Sequence, residues 1–235
     1  MTKIKHTRSL EMSGVTDPIV ADALPQLLPE WRARKRWADM EPRSRAVHFD
    51  ILSSFLKHSR PPELDEIDRA IVEDLQERDL IVLDGNAIQH AYPFSDLTMP
   101  HAVTINGVTN FTVCAIDAFG APAMVGSAGH VRLECSTCGD PISILIGDKG
   151  LKLDAAEPTN ARIWAGVVET GGCAASSQCQ SMLGFCSLAH LEQWREKQPQ
   201  PTMGFSFNPE QALQAGAAIF RPFVDRSPLR ASDTQ

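Results

Sequence analysis

The chain has 235 residues, of which 43% are hydrophobic and 22% charged, and a net charge of −7. It is long enough to bury a sizeable core and could hold one large domain or two small ones. The negative charge argues against general nucleic-acid binding, and no apolar run approaches the length of a membrane-spanning helix. No apolar segment typical of a secretory signal follows the basic first ten residues, which favours a cytoplasmic location.

Residues 1–45 are predicted to form an N-terminal extension with a short helix. Apolar residues recur at helical spacing from Leu24 to Trp31, and two prolines limit the helix. The basic run at residues 31–37, bounded by tryptophans, is typical of a solvated amphipathic helix that packs its tryptophans on the body of the protein. Contact with an acidic partner is the alternative interpretation.

Residues 46–95 are predicted to form a winged-helix-like domain of two helices and a hairpin. Val47 begins the apolar face of the first helix, and the second helix covers residues 63–78. Asp84-Gly-Asn86 lies between two strand-like runs, which is a strong hairpin signal. Winged-helix domains often bind DNA, but the second helix carries seven acidic residues against two arginines and would repel phosphates. A structural role is therefore favoured.

Residues 96–226 are predicted to form a mixed β-sheet core with flanking helices, which makes the fold class α+β. The strand-like segments are residues 102–105, 111–113, 130–134, 142–146 and 161–168. The predicted helices are residues 115–125, 188–197 and 209–220. Residues 227–235 are polar and are expected to form a flexible tail.

Cys114-Ala-Ile-Asp117 places a soft metal ligand three residues from a carboxylate in an apolar stretch. The two side chains share a face only if the chain becomes helical at or just after Cys114, where the helix dipole would also favour a thiolate. Proton transfer from an ordinary thiol to an ordinary carboxylate is uphill by roughly 6 kcal/mol, so a soft cation on sulfur or burial of the aspartate must compensate. By spacing alone, a buried cysteine beside a surface aspartate is the commoner arrangement.

The remaining cysteines offer a second possible metal site. Cys135-Ser-Thr-Cys138 has the spacing of half a zinc knuckle, and Cys173 with Cys179 could supply the other half, although their spacing is not that of zinc ribbons. A strand turn with partly buried cysteines, or a redox-sensitive or metal-relaying thiol pair, is the favoured alternative. Cysteine in the small, polar loop around residues 171–182 is hard to explain by packing, which suggests that one of its sulfurs has a chemical role.

Several segments together resemble the organomercurial lyase (alkylmercury lyase) family. The resemblance covers about residues 46–223. It rests on Cys114-Ala-Ile-Asp117 with Phe119–Gly126, on His130–Cys135 with Gly139–Ser143, and on Cys179 followed by Ser187–Trp194. It implies an N-terminal winged-helix-like domain before a catalytic core.

The resemblance implies a site made of Cys114, Asp117 and Cys179. The two cysteines would be catalytic thiols that hold the Hg(II) product, with Asp117 as proton shuttle beside the metal. The implied reaction is protonolysis of the carbon–mercury bond of alkyl and aryl mercury compounds, with no organic cofactor. Implied partners are the organomercurial substrate, cellular thiols and a mercuric reductase as Hg(II) acceptor, with neither nucleic acid nor membrane.

The chain also departs from the family pattern. Several relatives carry a second cysteine directly after the catalytic one, where this chain has Gln180. Cys138 and Cys173 are features of this chain and not of the family pattern. Cys135 matches a family cysteine usually interpreted as structural, and Cys186 has no assigned role. The alternative function is a thiol-based heavy-metal binding or sensing homologue that keeps the fold without turnover.

Overall fold

The computed structural model describes residues 10–168, 172–200 and 202–224, so the predicted tail lies outside the described residues. Helices and strands are mixed, and the predicted α+β class is confirmed. Among the described residues, no helix is long and apolar enough to cross a membrane.

Four α-helices form most of the described part of the N-terminal third of the chain. They are α1 (Pro18–Leu27), α2 (Glu30–Trp37), α3 (Pro42–His58) and α4 (Arg69–Glu77). Asp17 caps α1 by accepting a hydrogen bond from the Ile19 amide, and a left-handed Ser59 ends α3. The single short helix predicted here is thus two helices, because Pro29 separates α1 from α2 whereas Pro25 is accommodated inside α1.

Eight strands form one antiparallel sheet. They are β1 (Ile81–Asp84), β2 (Ala87–Ala91), β3 (Phe94–Ser95), β4 (His101–Ile105), β5 (Val108–Thr112), β6 (Gly129–Glu134), β7 (Pro141–Gly147) and β8 (Lys152–Glu157), in the order β1-β2-β3-β5-β4-β6-β7-β8. The predicted hairpin is confirmed as β1 and β2, with Gly85 in the left-handed region at its turn. The hairpin joins the same sheet as the later strands. The domain division and the winged-helix-like character of residues 46–95 remain predictions.

A smaller sheet and three helices complete the core. The sheet has the order β10-β9-β11, from β9 (Arg162–Gly166), β10 (Met182–Phe185) and β11 (Gly204–Phe207). The helices are α5 (Ala115–Val125), α6 (Leu188–Glu196) and α7 (Pro209–Phe220), close to their predicted bounds. Helix α5 contacts strands of both sheets and packs along α7. This buried position fixes the side chains in the first turn of α5.

Candidate active site

Cys114 lies where β5 gives way to α5. The Thr112 hydroxyl donates a 3.1 Å hydrogen bond to the Cys114 carbonyl, and Cys114 is the extended N-cap of the helix. Its Sγ accepts a 3.4 Å hydrogen bond from the Asp117 amide, so the thiol takes the place of a capping hydroxyl. The predicted change from strand to helix at this residue is confirmed. It brings the side chains of Cys114 and Asp117 to one end of a buried helix.

Cys179 reaches the same place from a distant part of the chain. It belongs to a 3-10 turn at Gln178–Ser181, and its amide donates a 2.8 Å hydrogen bond to the Ala174 carbonyl. One ligand atom from each of Cys114, Asp117 and Cys179 lies within 4.8 Å of the other two, and all three residues are buried. The structure therefore gathers the three predicted residues into one group that could hold a soft metal ion.

The Asp117 carboxyl titrates near neutral pH. Burial raises the pKa of its carboxyl from 3.8 to about 7, although hydrogen bonding to Cys114 and the positive charge of Arg36 act in the opposite direction. Its Oδ2 is buried and has no hydrogen-bond partner among the described residues. A carboxyl that titrates near neutral pH can both accept and donate a proton during a reaction.

Both thiols are harder to ionise than free cysteine. Burial raises the pKa of the Cys114 thiol well above its usual value, and a hydrogen bond with Cys179 and the charge of Asp117 add to this effect. The hydrogen bond from Cys114 lowers the pKa of Cys179, but burial and Asp117 outweigh it and the net shift is upward. A bound soft cation would supply the stabilisation that these thiolates lack.

A buried charge network lies beside the thiols. Asp79 accepts hydrogen bonds from Arg32 at 2.6 Å and from Arg36 at 3.2 Å. The Arg36 guanidinium also lies 4.9 Å from the centre of the Tyr92 ring, whose hydroxyl is 3.4 Å from Asp79 Oδ1. Two arginines against one aspartate leave a net positive charge next to Cys179 and Asp117.

The prediction of a solvated basic helix at residues 31–37 is therefore wrong for its key side chains. Arg32 and Arg36 are buried, and their acidic partner is Asp79 of the same chain. Trp37 is buried as predicted, whereas Trp31 is exposed. The available signal was the i, i+4 spacing of the two arginines, which places both on one face of α2.

A small, mostly apolar cavity of about 30 Å³ adjoins the group. Cys179 and Asp117 line it, and α1 and α2 cover it with Leu27, Leu28 and the two arginines. The other lining residues are Tyr92, Ile116, Ala174, Gln178, Met182, Ile219 and Phe220. Ile116, which lies in the first turn of α5 and between Cys114 and Asp117 in sequence, lines the cavity. Phe111, Phe119, Met124 and Phe185 are not among the lining residues, and the last three are buried in the core.

The other cysteines lie outside this group. The Cys173 sulfur is 3.5 Å from the Tyr92 hydroxyl, and Gln180 is exposed. Cys135, Cys138 and Cys186 gather at a different place, beyond the end of β6. Cys173 and Cys179 therefore do not complete a zinc site with Cys135 and Cys138.

Comparison with known proteins supports the resemblance. The sequence profile of the alkylmercury lyase family matches residues 94–221, which is more than half of the chain. Alkylmercury lyases of Bacillus cereus and Clostridium butyricum are each 22% identical over 133 residues, covering 57% of this chain and 59% of each relative's length. The mercury-bound form of MerB2 matches in fold with a TM-score of 0.70 at 21% identity, over 86% of this chain and 98% of that one. The chain belongs to the alkylmercury lyase family.

Proposed function

We propose that this protein is an organomercurial lyase that breaks the carbon–mercury bond of alkyl and aryl mercury compounds by protonolysis. The observation that carries the proposal is that two thiols and a carboxyl lie within 4.8 Å of one another beside an apolar cavity. The pKa of that carboxyl is about 7. Thiolates are the ligands that soft metal ions prefer, and the carboxyl is a proton donor adjacent to them. Membership of the alkylmercury lyase family supports the same reaction.

The first step is capture of the organomercury cation from a small thiol. Cys179 lines the cavity and Cys114 does not, so Cys179 is the thiol that an entering substrate meets. A new sulfur–mercury bond forms at Cys179, and the displaced small thiol leaves with the cysteine proton. The apolar lining accepts the organic group.

The second step breaks the carbon–mercury bond. The remaining thiol, Cys114, gives its proton to the Asp117 carboxylate as its sulfur binds mercury, and two thiolates then raise the electron density at the metal. Asp117 delivers that proton to the carbon, whose bonding pair to mercury becomes the new carbon–hydrogen bond. Because burial has brought the pKa of Asp117 to about 7, the proton transfer from sulfur is less uphill than for an exposed carboxylate.

Substrate entry requires movement of the cover formed by α1 and α2. A cavity of about 30 Å³ has room for about two water molecules, which is less than a phenyl group needs. Leu27 and Leu28 are buried against the site, so displacing them opens a path to Cys179. Closure afterwards keeps water from the carboxyl and preserves its raised pKa.

The product Hg(II) stays between Cys114 and Cys179 until external thiols or a mercuric reductase remove it. Exchange needs reduced thiols, which are abundant in the cytoplasm. We propose no organic cofactor, because the two thiols and the carboxyl supply every bond and proton in the scheme.

Turnover separates this proposal from a metal carrier that keeps the same thiols. The wild-type chain is incubated with phenylmercury and an excess of a small thiol, and released benzene is measured over time. The proposal expects many equivalents of benzene per chain. Stoichiometric mercury binding without benzene would contradict it and would favour the carrier.

A further inference from the structure

A second cluster of metal-binding side chains lies outside the site with Cys114. Cys135 and Cys138 flank the turn between β6 and β7, while Cys186 and His190 lie at the junction of β10 and α6. The four ligand atoms all lie within 4.8 Å of one another. The cluster shares no residue with the first group.

The distances match the edges of a tetrahedral zinc site. The Cys138 and Cys186 sulfurs are 3.8 Å apart, and the His190 Nδ1 is 3.5 Å from the Cys135 sulfur and 3.0 Å from the Cys186 sulfur. Zinc–sulfur and zinc–nitrogen bonds of about 2.3 and 2.1 Å require ligand separations of about 3.8 Å between sulfurs and about 3.6 Å between sulfur and nitrogen. Of these three pairs, only the Cys186–His190 pair is clearly shorter than the zinc geometry requires.

The donor set and its spacing also fit zinc. Three cysteines and one histidine, as Cys-x-x-Cys and Cys-x-x-x-His, are a structural zinc set that fills all four positions of the ion. Such a closed site leaves no position for a substrate. Mercury, in contrast, is satisfied by two thiolates and has no need of the other two ligands.

Hydrogen bonds already hold the turn with Cys135 and Cys138 against the segment with Cys186 and His190. Gly139 has the left-handed φ of +79° that the turn after Cys138 requires, and its amide donates a 2.8 Å hydrogen bond to the Cys135 carbonyl. The Ser136 amide donates to the Gly184 carbonyl at 2.9 Å, and the Thr137 hydroxyl donates to the His190 carbonyl at 2.7 Å. These bonds join the β6–β7 turn to β10 and α6.

The Cys135 sulfur is surrounded by hydrogen-bond donors. The backbone amides of Cys186, Thr137 and Cys138 and the His190 ring are all directed at it. Donors directed at a cysteine sulfur are expected where that sulfur carries charge. The geometry of the turn is thus matched to an anionic ligand.

We infer that Cys135, Cys138, Cys186 and His190 bind one structural Zn²⁺ ion. The ion joins the larger sheet, through the β6–β7 turn, to the smaller sheet, through the end of β10. The other end of β10 is Met182, whose sulfur lies 3.4 Å from the Cys114 sulfur. The proposed zinc therefore anchors the strand that leads out of the catalytic group.

Metal content tests the inference directly. The full-length chain is produced with zinc in the medium, dialysed against metal-free buffer and analysed by mass spectrometry of its metals. The expected result is about one zinc per chain, and Co²⁺ replacement should give the intense visible bands of a tetrahedral thiolate complex. Less than a tenth of an equivalent of zinc, with no such cobalt bands, would overturn the inference.

Variants locate the metal. Cys138→Ser and His190→Asn should each lose most of the zinc, whereas Cys173→Ser and Cys114→Ser should retain it. Should either cluster variant fail to fold, cobalt titration of the metal-stripped wild type together with Cys173→Ser and Cys114→Ser still tests the site. Zinc retained in a folded Cys138→Ser, or lost in Cys114→Ser, would contradict the assignment.

Stability gives a readout that is independent of lyase activity. Removing the metal from the wild type with a zinc chelator should lower the melting temperature by several degrees, and restoring zinc should recover it. In the cluster variants the chelator should have no effect on melting. An unchanged melting temperature after full zinc removal from the wild type would count against a structural role.

Discussion

At the scale of single residues, the proposed chemistry depends on two opposing effects on the pKa of Asp117. Burial raises its pKa, while Arg36, itself buried and paired with Asp79, lowers it towards neutrality. Without burial the carboxyl would be too weak a base for a thiol proton. Without the arginine its pKa would be higher, and less of the carboxylate form would be present at neutral pH to accept one.

Arg36→Gln should move the acid limb of the pH profile to higher pH. The proposed mechanism needs unprotonated Asp117 to accept the cysteine proton, so kcat/KM for benzene release should rise through the pKa of about 7. Loss of the guanidinium charge raises that pKa, and a shift on the order of one pH unit is expected. Arg36→Lys keeps the charge and is the matched control. An unmoved limb in Arg36→Gln would show that Arg36 does not tune Asp117.

The site residues differ in how far sequence could predict them. Cys114 and Asp117 could be paired because the change from strand to helix is a local signal. Cys179 required the family resemblance, because nothing local distinguishes it from Cys173. Arg32 and Arg36 could not be placed, since their partner Asp79 lies 47 and 43 residues further along the chain and only the folded structure brings them together.

The histidine of the proposed zinc site was missed for a similar reason. His130 lies five residues before Cys135 and His190 lies four residues after Cys186, and His190 is the one that meets the cysteine cluster. The spacing Cys186-x-x-x-His190 was the available signal. It gains meaning only when β10 brings the start of α6 next to the turn at Cys135.

At the scale of elements, the close packing of α5 on α7 holds Cys114 and Asp117 in place. A Cβ atom added to Gly216 of α7 would lie 2.6 Å from the Gly120 nitrogen and 2.9 Å from the Ile116 carbonyl oxygen. Two backbones this close leave no room for a methyl group. The position of α5, and with it that of Cys114 and Asp117, is therefore set by two glycines.

Gly216→Ala should destabilise the protein and reduce activity together. Alanine normally stabilises a helix by about 0.5–1 kcal/mol relative to glycine, but here overpacking should cost about 1–3 kcal/mol. Urea unfolding and benzene release measure the two effects. Gly14→Ala is the control, because a Cβ there meets no heavy atom within 4 Å. Increased stability in Gly216→Ala would show that the helices can separate freely.

Sequence periodicity predicted the buried helices better than the edge strands. Helices α5 and α7 have their predicted bounds, because both are strongly apolar and have clear caps at Cys114 and Asn208. Strand β8 was not predicted, since its exposed edge position leaves no apolar alternation to detect. Strands β10 and β11 are four residues each, too short for a period to appear.

At the scale of the whole molecule, the N-terminal helices are part of the core rather than an appendage. His48 of α3 is fully buried between Trp37 and Phe223, and neither ring nitrogen has a hydrogen-bond partner among the described residues. Burial, together with the charges of Arg36 and Arg45, lowers the pKa of His48 from 6.5 to about 3. The folded protein therefore holds this histidine neutral at pH values where the unfolded chain protonates it.

His48→Leu should make the protein less sensitive to acid. A histidine with a lowered folded pKa contributes fully above about pH 6.5, and its contribution is lost as the pH falls towards 3. Between pH 6.5 and 5 this loss is about 2 kcal/mol in the wild type and should be absent in the variant. Asp117 has the opposite sign, because its raised pKa makes the protein lose stability as pH rises from about 4 to 7, but it is common to both proteins.

Urea unfolding at pH 7.5 and pH 5 measures this difference. The gap between wild type and His48→Leu should shift in favour of the variant at the lower pH. His58→Leu, at an exposed position, is the control and should follow the wild type. An equal loss of stability in wild type and His48→Leu on acidification would show that protonation of His48 does not destabilise the folded protein.

The central claim is that Cys114, Asp117 and Cys179 together cleave the carbon–mercury bond. One equivalent of phenylmercury is added to each protein, and benzene and protein-bound mercury are measured in the same sample. Wild type and Cys173→Ala should release about one benzene per chain and keep the mercury, whereas Cys114→Ala and Cys179→Ala should release none. Asp117→Ala should bind mercury without releasing benzene. Full benzene release by Cys179→Ala or by Asp117→Ala would contradict the account.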